Sequence, residues 1–281
     1  MLKQRIITAL LMLAVLLPAV FFPLPEVFAG VAMVLVTAGA WEWARINQSG
    51  QLASLLVGGL CAAVCLASWY GGLMYAPLKI LWFVAGSAWV ILGAWLLYFG
   101  VAVWSRVPRY LRLVGGVAAL WVAWLAIVHA RIEGINFLFS ILVLVWVADI
   151  FAYFAGRTFG GRFFSRKLAP SISPGKTWEG VCGGMAGVVV CAFVWRYLDA
   201  TMSLGAASLY TRLGAVNVAF MILAILFLAA MSIVGDLIES LFKRSAGVKD
   251  SSGLLPGHGG VLDRVDALLP ALPLAMMLST V

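Results

Sequence analysis

An all-α, polytopic integral membrane protein with about nine transmembrane helices is the fold class predicted for this 281-residue chain. Hydrophobic residues make up 64% of it and charged residues 11%, against about 25% charge in soluble domains. Apolar runs of about 17–22 residues, the length a helix needs to cross the hydrocarbon core, recur from end to end. No segment has the alternation of a barrel strand, the other structure that satisfies its backbone in lipid.

The runs fall at residues 6–22, 27–43, 52–70, 80–103, 113–130, 135–156, 179–197, 215–235 and 262–281. The first follows Lys3 and Arg5 and precedes VFAG, so a cleavable signal peptide competes. Its apolar stretch is long for one, and a retained helix is expected. The second carries Glu42 near its end, read as a solvated helix terminus. The third to fifth are rich in Trp, Gly and Ala, which suits close packing through small residues, and His129 reads as an interfacial residue. Residues 1–130 are therefore expected to be scaffold, lipid contact and subunit interface. Residues 131–281 are expected to form the catalytic region, with polar loops at 157–178 and 236–266. Cys61, Cys65, Cys182 and Cys191 lie inside apolar runs, where a thiol is a small hydrophobe and no disulfide or metal framework is implied. The last run differs in opening on Asp263, Arg264 and Asp266.

Nine spans divide the loops into two sets. Of the 19 Lys and Arg residues, only Lys79, Arg131, Arg196 and Arg212 fall in one set, leaving 15 for the other. This bias puts the amino terminus and the charged loops in the cytoplasm and the carboxyl terminus outside. The net charge of +8 is mostly this asymmetry. Dispersed over short loops, it suits anionic lipid headgroups and excludes nucleic-acid binding.

Polar chemistry gathers from residue 149 onward. Asp149 lies about 9 Å short of the cytoplasmic end of the sixth run. An ionisable group there faces a polar cavity, an ion or a partner such as Arg157. The next loop, GRTFGGRFFSRKLAPSISPGKTWEG, offers basic residues, hydroxyls and accessible backbone N–H groups suited to phosphate. Its PGKT piece is no nucleotide-binding P-loop, because position 170 is Pro where that pattern needs Gly and no strand precedes it. Glu179 suits a helix amino end whatever its chemistry.

The eighth run ends in SIVGDLIESLFKRSAGVKD. A continuing helix would put Asp236, Glu239, Ser240 and Lys243 on one face at i, i+3, i+4 and i+7. A glycine-rich break containing PGHGG follows, and then Asp263 and Asp266 at i, i+3. Acids at 149, 236, 239, 250, 263 and 266, with bases at 243, 244, 249 and 264, suit a hard cation and a nucleotide. A phosphate monoester on a lipid, attacking the α-phosphorus of a nucleoside triphosphate, is already largely ionised near neutral pH, with a second pKa of about 6. Such a site needs charge screening and alignment more than a strong base.

The stretch SLFKRSAGVKDSSGLLPGHGGVLDRVD resembles the signature of the phosphatidate cytidylyltransferases, or CDP-diacylglycerol synthases. It has Ser240, Lys243-Arg244, Lys249-Asp250, Leu255-Pro256, His258-Gly259-Gly260, Asp263-Arg264 and Asp266 at the signature positions, and SPGKTWEG is similar to a second stretch of that family. The resemblance implies transfer of CMP from CTP to phosphatidic acid, with Mg2+, in a homodimer of a bacterial inner membrane or its equivalent. It implies metal ligands at Asp236, Asp263 and Asp266, Asp263 first, with Asp149, Glu239 and Asp250 behind them. Lys243, Arg244, Lys249 and Arg264 would meet phosphates, while Ser173, Lys176, Thr177, Ser240, Gly259 and Gly260 would close over the substrates. His258 would orient phosphate rather than remove a proton. Two rival readings stay open: a CTP-dependent kinase of a polyprenol-type lipid, and an ion or solute transporter.

Overall fold

The computed structural model describes residues 2–202 and 205–280. Its helices are, in order, α1 (Leu2–Phe21), α2 (Pro25–Ile46), α3 (Gln51–Tyr70), α4 (Lys79–Phe99), α5 (Val101–Trp104), α6 (Arg109–Glu133), α7 (Ile135–Phe159), α8 (Trp178–Thr201), α9 (Leu209–Val216), α10 (Val218–Ser245), α11 (Leu262–Val265) and α12 (Leu268–Leu278). Eight of these, α1 to α4, α6 to α8 and α10, are long and apolar enough to cross a membrane. The chain is thus a polytopic helical membrane protein, and no strand occurs among the described residues.

Local chemistry sets the boundaries. Pro25 opens α2, where its missing N–H costs nothing. Thr177, Ser208 and Asn217 cap α8, α9 and α10 by accepting the N–H groups of Gly180, Thr211 and Ala219. The α7–α8 pair is drawn together by a glycine stripe on α8. A Cβ at Gly184 would lie 2.7 Å from the Ala148 carbonyl, and one at Gly180 would lie 2.9 Å from that of Ala152. Such close backbone approach is the main source of helix affinity where lipid is as apolar as the side chains.

The ninth predicted run is not among these eight helices. Its described residues form the one-turn α11 and the 11-residue α12, which rises only about 16 Å. Pro270 and Pro273 favour a short element, and α12 is buried against α10, α4 and α6 instead of facing lipid. Its far end reaches Gly86, near the middle of α4, where a Cβ would meet Leu274 at 2.8 Å and Met277 at 3.0 Å.

His129, read as interfacial, and Arg131, counted with the loop charges, are structural. Arg131 is 8% exposed and donates to the carbonyls of Val20 at 2.6 Å and Phe22 at 2.7 Å, capping α1. A ring nitrogen of His129 lies 2.9 Å from the Leu73 carbonyl, with its ring edge-on to Trp82. At the centre, α10 packs against α4, α7, α8, α9 and α12, and its last turns carry the charged residues.

Candidate active site at the loop end of the bundle

The face predicted for α10 divides into two arms. Asp236 points toward the 157–178 loop and pairs with Lys176 at 2.6 Å, while the Ser240 hydroxyl lies 3.5 Å from its other oxygen. Glu239 pairs with Lys243, which donates to Asp263 at 2.7 Å. One arm thus ties α10 to the SPGKT segment and the other ties it to the signature loop. Arg244 adds a bond from its Nε to the Ile172 carbonyl at 3.4 Å.

The SPGKT segment is a compact turn. Ser173 donates its N–H to the Ala169 carbonyl and accepts that of Lys176. The Thr177 hydroxyl accepts from Gly180 N–H at 3.1 Å, so the threonine expected to touch substrate is the cap of α8. Glu179, 5% exposed, accepts the N–H groups of Phe163 and Phe164 and folds the loop back over α8. Arg157 bonds to the Tyr153 hydroxyl, not to Asp149.

The signature loop is built around two carboxylates. Asp263 accepts from Lys243 on one oxygen, and on the other from Ser251 N–H at 2.9 Å, Ser251 hydroxyl at 2.9 Å and Gly260 N–H at 2.7 Å. Burial works to raise this carboxyl, but Lys243 and the two amides outweigh it and hold the group at about 2. The residue expected first among metal ligands is therefore already saturated with donors.

Glu42 of α2 is the second carboxylate. It is fully buried, where a solvated helix end was expected. It accepts from Val261 N–H at 2.9 Å, Leu262 N–H at 2.8 Å, Ser251 hydroxyl at 3.1 Å and Ser252 hydroxyl at 2.5 Å. From α1, Arg5 and Thr8 donate to the carbonyls of Gly257 and Pro256, both at 2.9 Å. The amino-terminal helices hold the loop directly, a role the sequence reading did not assign them. The PGHGG glycines allow this compactness. Gly257 and Gly259 sit at φ +77° and +84°, and a Cβ on Gly260 would collide with Ser251 and Glu42.

Lys249, Asp250, Arg244 and Arg264 have exposed side chains. His258 is half-buried; its backbone N–H closes a turn to the Leu255 carbonyl at 2.8 Å, and its Nδ1 is buried without a partner among the described residues. Asp263→Asn removes an acceptor from a donor-saturated point. It is expected to lower kcat about a hundredfold, as sub-ångström misplacement of a loop does, while membrane insertion persists. Initial rates on membranes with matched protein levels check this, and a near-normal rate would release Asp263 from any part in the site.

Across residues 3–281 the chain matches the cytidylyltransferase family. It belongs to that family. It is 40% identical over 275 residues to a phosphatidate cytidylyltransferase of Pseudomonas aeruginosa, an alignment covering 97% of this chain and 95% of that one. It is 35% identical to the Haemophilus influenzae phosphatidate cytidylyltransferase over an alignment of 292 residues, covering 97% and 96%. With a Brucella melitensis phosphatidate cytidylyltransferase the identity is 46% over 147 residues, 52% of this chain and 47% of that one.

In this cytidylyltransferase the fit to a hard cation rests on three other acids. Asp266 sits where α11 turns into α12, and Gly235 makes room for it: a Cβ there would lie 2.5 Å from the Asp266 carbonyl. Burial, and then the charge of Asp236 with that of Asp149 behind it, push the Asp266 carboxyl up to about 7. Asp149, Asp236 and Asp266 are thus close enough to repel one another, with Lys176 beside them. Among the described residues, no three His, Cys, Asp or Glu side chains are gathered tightly enough to ligate one ion. Magnesium does not require that, since it is held by one or two carboxylates together with substrate phosphates and water. The donor set fits such an ion.

Proposed function

We propose that the chain is a phosphatidate cytidylyltransferase, transferring CMP from CTP to phosphatidic acid to give CDP-diacylglycerol and pyrophosphate in phospholipid biosynthesis. The Lys176–Asp236 ion pair carries the reading, because it draws the phosphate-suited loop and the acidic end of α10 into one site at one end of the bundle. The activity named for the relatives in Pseudomonas aeruginosa and Haemophilus influenzae, matched along nearly the whole chain, supports it. We place the site at the cytoplasmic face of an inner membrane, on the strength of the Lys and Arg bias, and assign the homodimer that the family resemblance implies.

Arg244, Lys249 and Arg264, whose side chains are exposed, are assigned to the phosphates of the two polyanionic substrates. Lys176 turns between Asp236 and an incoming triphosphate, and the half-buried His258 orients a phosphate at the loop. Asp236 and Asp266, with Asp149 beside them, are the residues that would hold Mg2+, which when bound screens the triphosphate and draws charge from the α-phosphorus. The lipid phosphate attacks the α-phosphorus as a dianion, and pyrophosphate leaves without a protein base. Lys243, locked between Glu239 and Asp263, fixes the loop's position instead of moving a proton.

Purified protein given Mg2+, phosphatidate and CTP labelled at the α- or γ-phosphate tests the reaction. α-Label is expected in the lipid and γ-label in pyrophosphate. γ-Label in the lipid with release of CDP would instead identify a lipid kinase.

A further inference from the structure

A cavity of about 600 Å³ lies between α4, α6 and α10, on the side of α10 away from the SPGKT segment. This size falls within the roughly 300–1,000 Å³ of small-molecule sites. Its walls are almost entirely apolar, with Trp43, Trp89, Trp104 and Phe242 prominent, and only Arg112 and Glu239 bring charge. The lining runs from Ala85 to Leu96 on α4 and from Leu111 to Val122 on α6. Each stretch rises about 17 Å, roughly one leaflet of a ~30 Å hydrocarbon core.

Two observations identify what fills it. Leu92 and Trp95 on α4 and Leu111 on α6 are exposed on the outer surface of spanning helices, and α4 packs on α12 and α10 at its back, so the cleft opens sideways where the surrounding solvent is acyl chain. The charged end adjoins the signature loop: Glu239 in the wall is the residue that pairs with Lys243, and Lys243 in turn holds Asp263 of that loop. Arg112 stands at the same end, its guanidinium 5.7 Å from the Trp104 ring centroid and its Nε buried without a partner. A cation at the polar end of an apolar slot one leaflet deep complements an anionic lipid.

We propose that this cavity seats one acyl chain of the phosphatidate substrate, with Arg112 attracting the lipid's phosphate end, so that its walls set chain-length preference. The inference rests on the reaction assigned above. Small residues line the slot at Ala88 on α4 and Ala119 on α6, and enlarging them shortens it.

The test measures initial rates on dioctanoyl and dioleoyl phosphatidate, in mixed micelles at saturating CTP, for the wild type and for Ala88→Phe, Ala119→Phe and Arg112→Gln. Each Phe variant is expected to raise KM for the dioleoyl lipid about tenfold and to leave KM for dioctanoyl lipid and for CTP within about twofold. Arg112→Gln is expected to raise KM for both lipids by a similar factor and to spare KM for CTP. Should filling the slot change both lipids equally, or neither, while the protein stays folded and active, the chain lies elsewhere and bulk lipid occupies the cleft. If the Phe variants misfold, Leu92→Ala, at the exposed rim, takes their place: its expected effect is a lower KM for the longer lipid alone, and no change would overturn the proposal. Failure of the wild type to make a cytidine lipid from either substrate would overturn the reaction assignment, and the proposal with it.

Discussion

Glu42→Ala is expected to lower the apparent melting temperature of the detergent-solubilised protein by about 5–10 °C and turnover about a hundredfold. The size of the effect comes from what the carboxylate leaves behind. Val261 and Leu262 direct backbone N–H groups at it from the start of α11, and neither can be re-aimed by a rotamer change. Each buried donor left without an acceptor costs about 1–3 kcal/mol, and the site is too buried for water to replace the acid readily. The two serine hydroxyls can rotate to other acceptors, so Ser252→Ala is expected to cost much less. Glu42→Gln keeps one acceptor oxygen but turns an NH2 toward donors, and should fall between wild type and Glu42→Ala. Because Glu42 acts through the loop backbone it holds, its loss should reduce kcat through the loop while KM for CTP changes little. Wild-type stability and rate in Glu42→Ala would mean that Arg5, Thr8 and Asp263 hold the loop without it.

Glu42 also marks where a linear reading stops. A single acid near the end of an apolar run has water as its default partner, and its actual partners lie more than 200 residues further along the chain. The eight long helices were legible because a bilayer-length run of apolar residues has one physical use: the run expected at 52–70, for example, folds as Gln51–Tyr70. Hydropathy read 262–281 as one run because α12 is as apolar as a span, and neither its prolines nor the break between α11 and α12 registers in a mean. The signature grouped Lys243 with Asp263 and the glycines, and the structure brings the α10 lysine onto Asp263 of the loop segment. Helical periodicity alone grouped Asp236 with Glu239 and Lys243, whereas tertiary partners divide them: Lys176 draws Asp236 one way, and Asp263 draws Lys243 the other. The apolar slot had no sequence signal, since Trp, Ala and Leu lining a cleft look like Trp, Ala and Leu packed against a neighbour.

Asp266→Asn is expected to reduce turnover about a thousandfold or more while making the metal-free protein more heat-stable above neutral pH. Both effects follow from one cause. Asp266 is half-buried near Asp236 and Asp149, and its carboxyl is held up at about 7, against about 3.9 in an unfolded chain. Between those two values the folded protein binds the proton more tightly than the unfolded one, so wild-type stability falls as pH rises from about 4 to about 7 and levels off above. Asparagine cannot ionise, and the advantage of the variant should therefore be absent below pH ~4, grow through that window and stay constant above pH ~7. Added Mg2+ should narrow the gap by stabilising the wild type through binding, with a smaller effect on the variant. Melting curves at pH 5 and pH 8, with and without Mg2+, read this directly beside the CTP assay. If Asp266→Asn were equally destabilised at both pH values, its carboxylate would be serving the packing of the α11–α12 corner, and the cation would rest on Asp236 and Asp149. The opposed signs of activity and stability separate an acid kept for a ligand from one kept for the fold: Asp263, saturated with donors and held at about 2, is expected to lose both together.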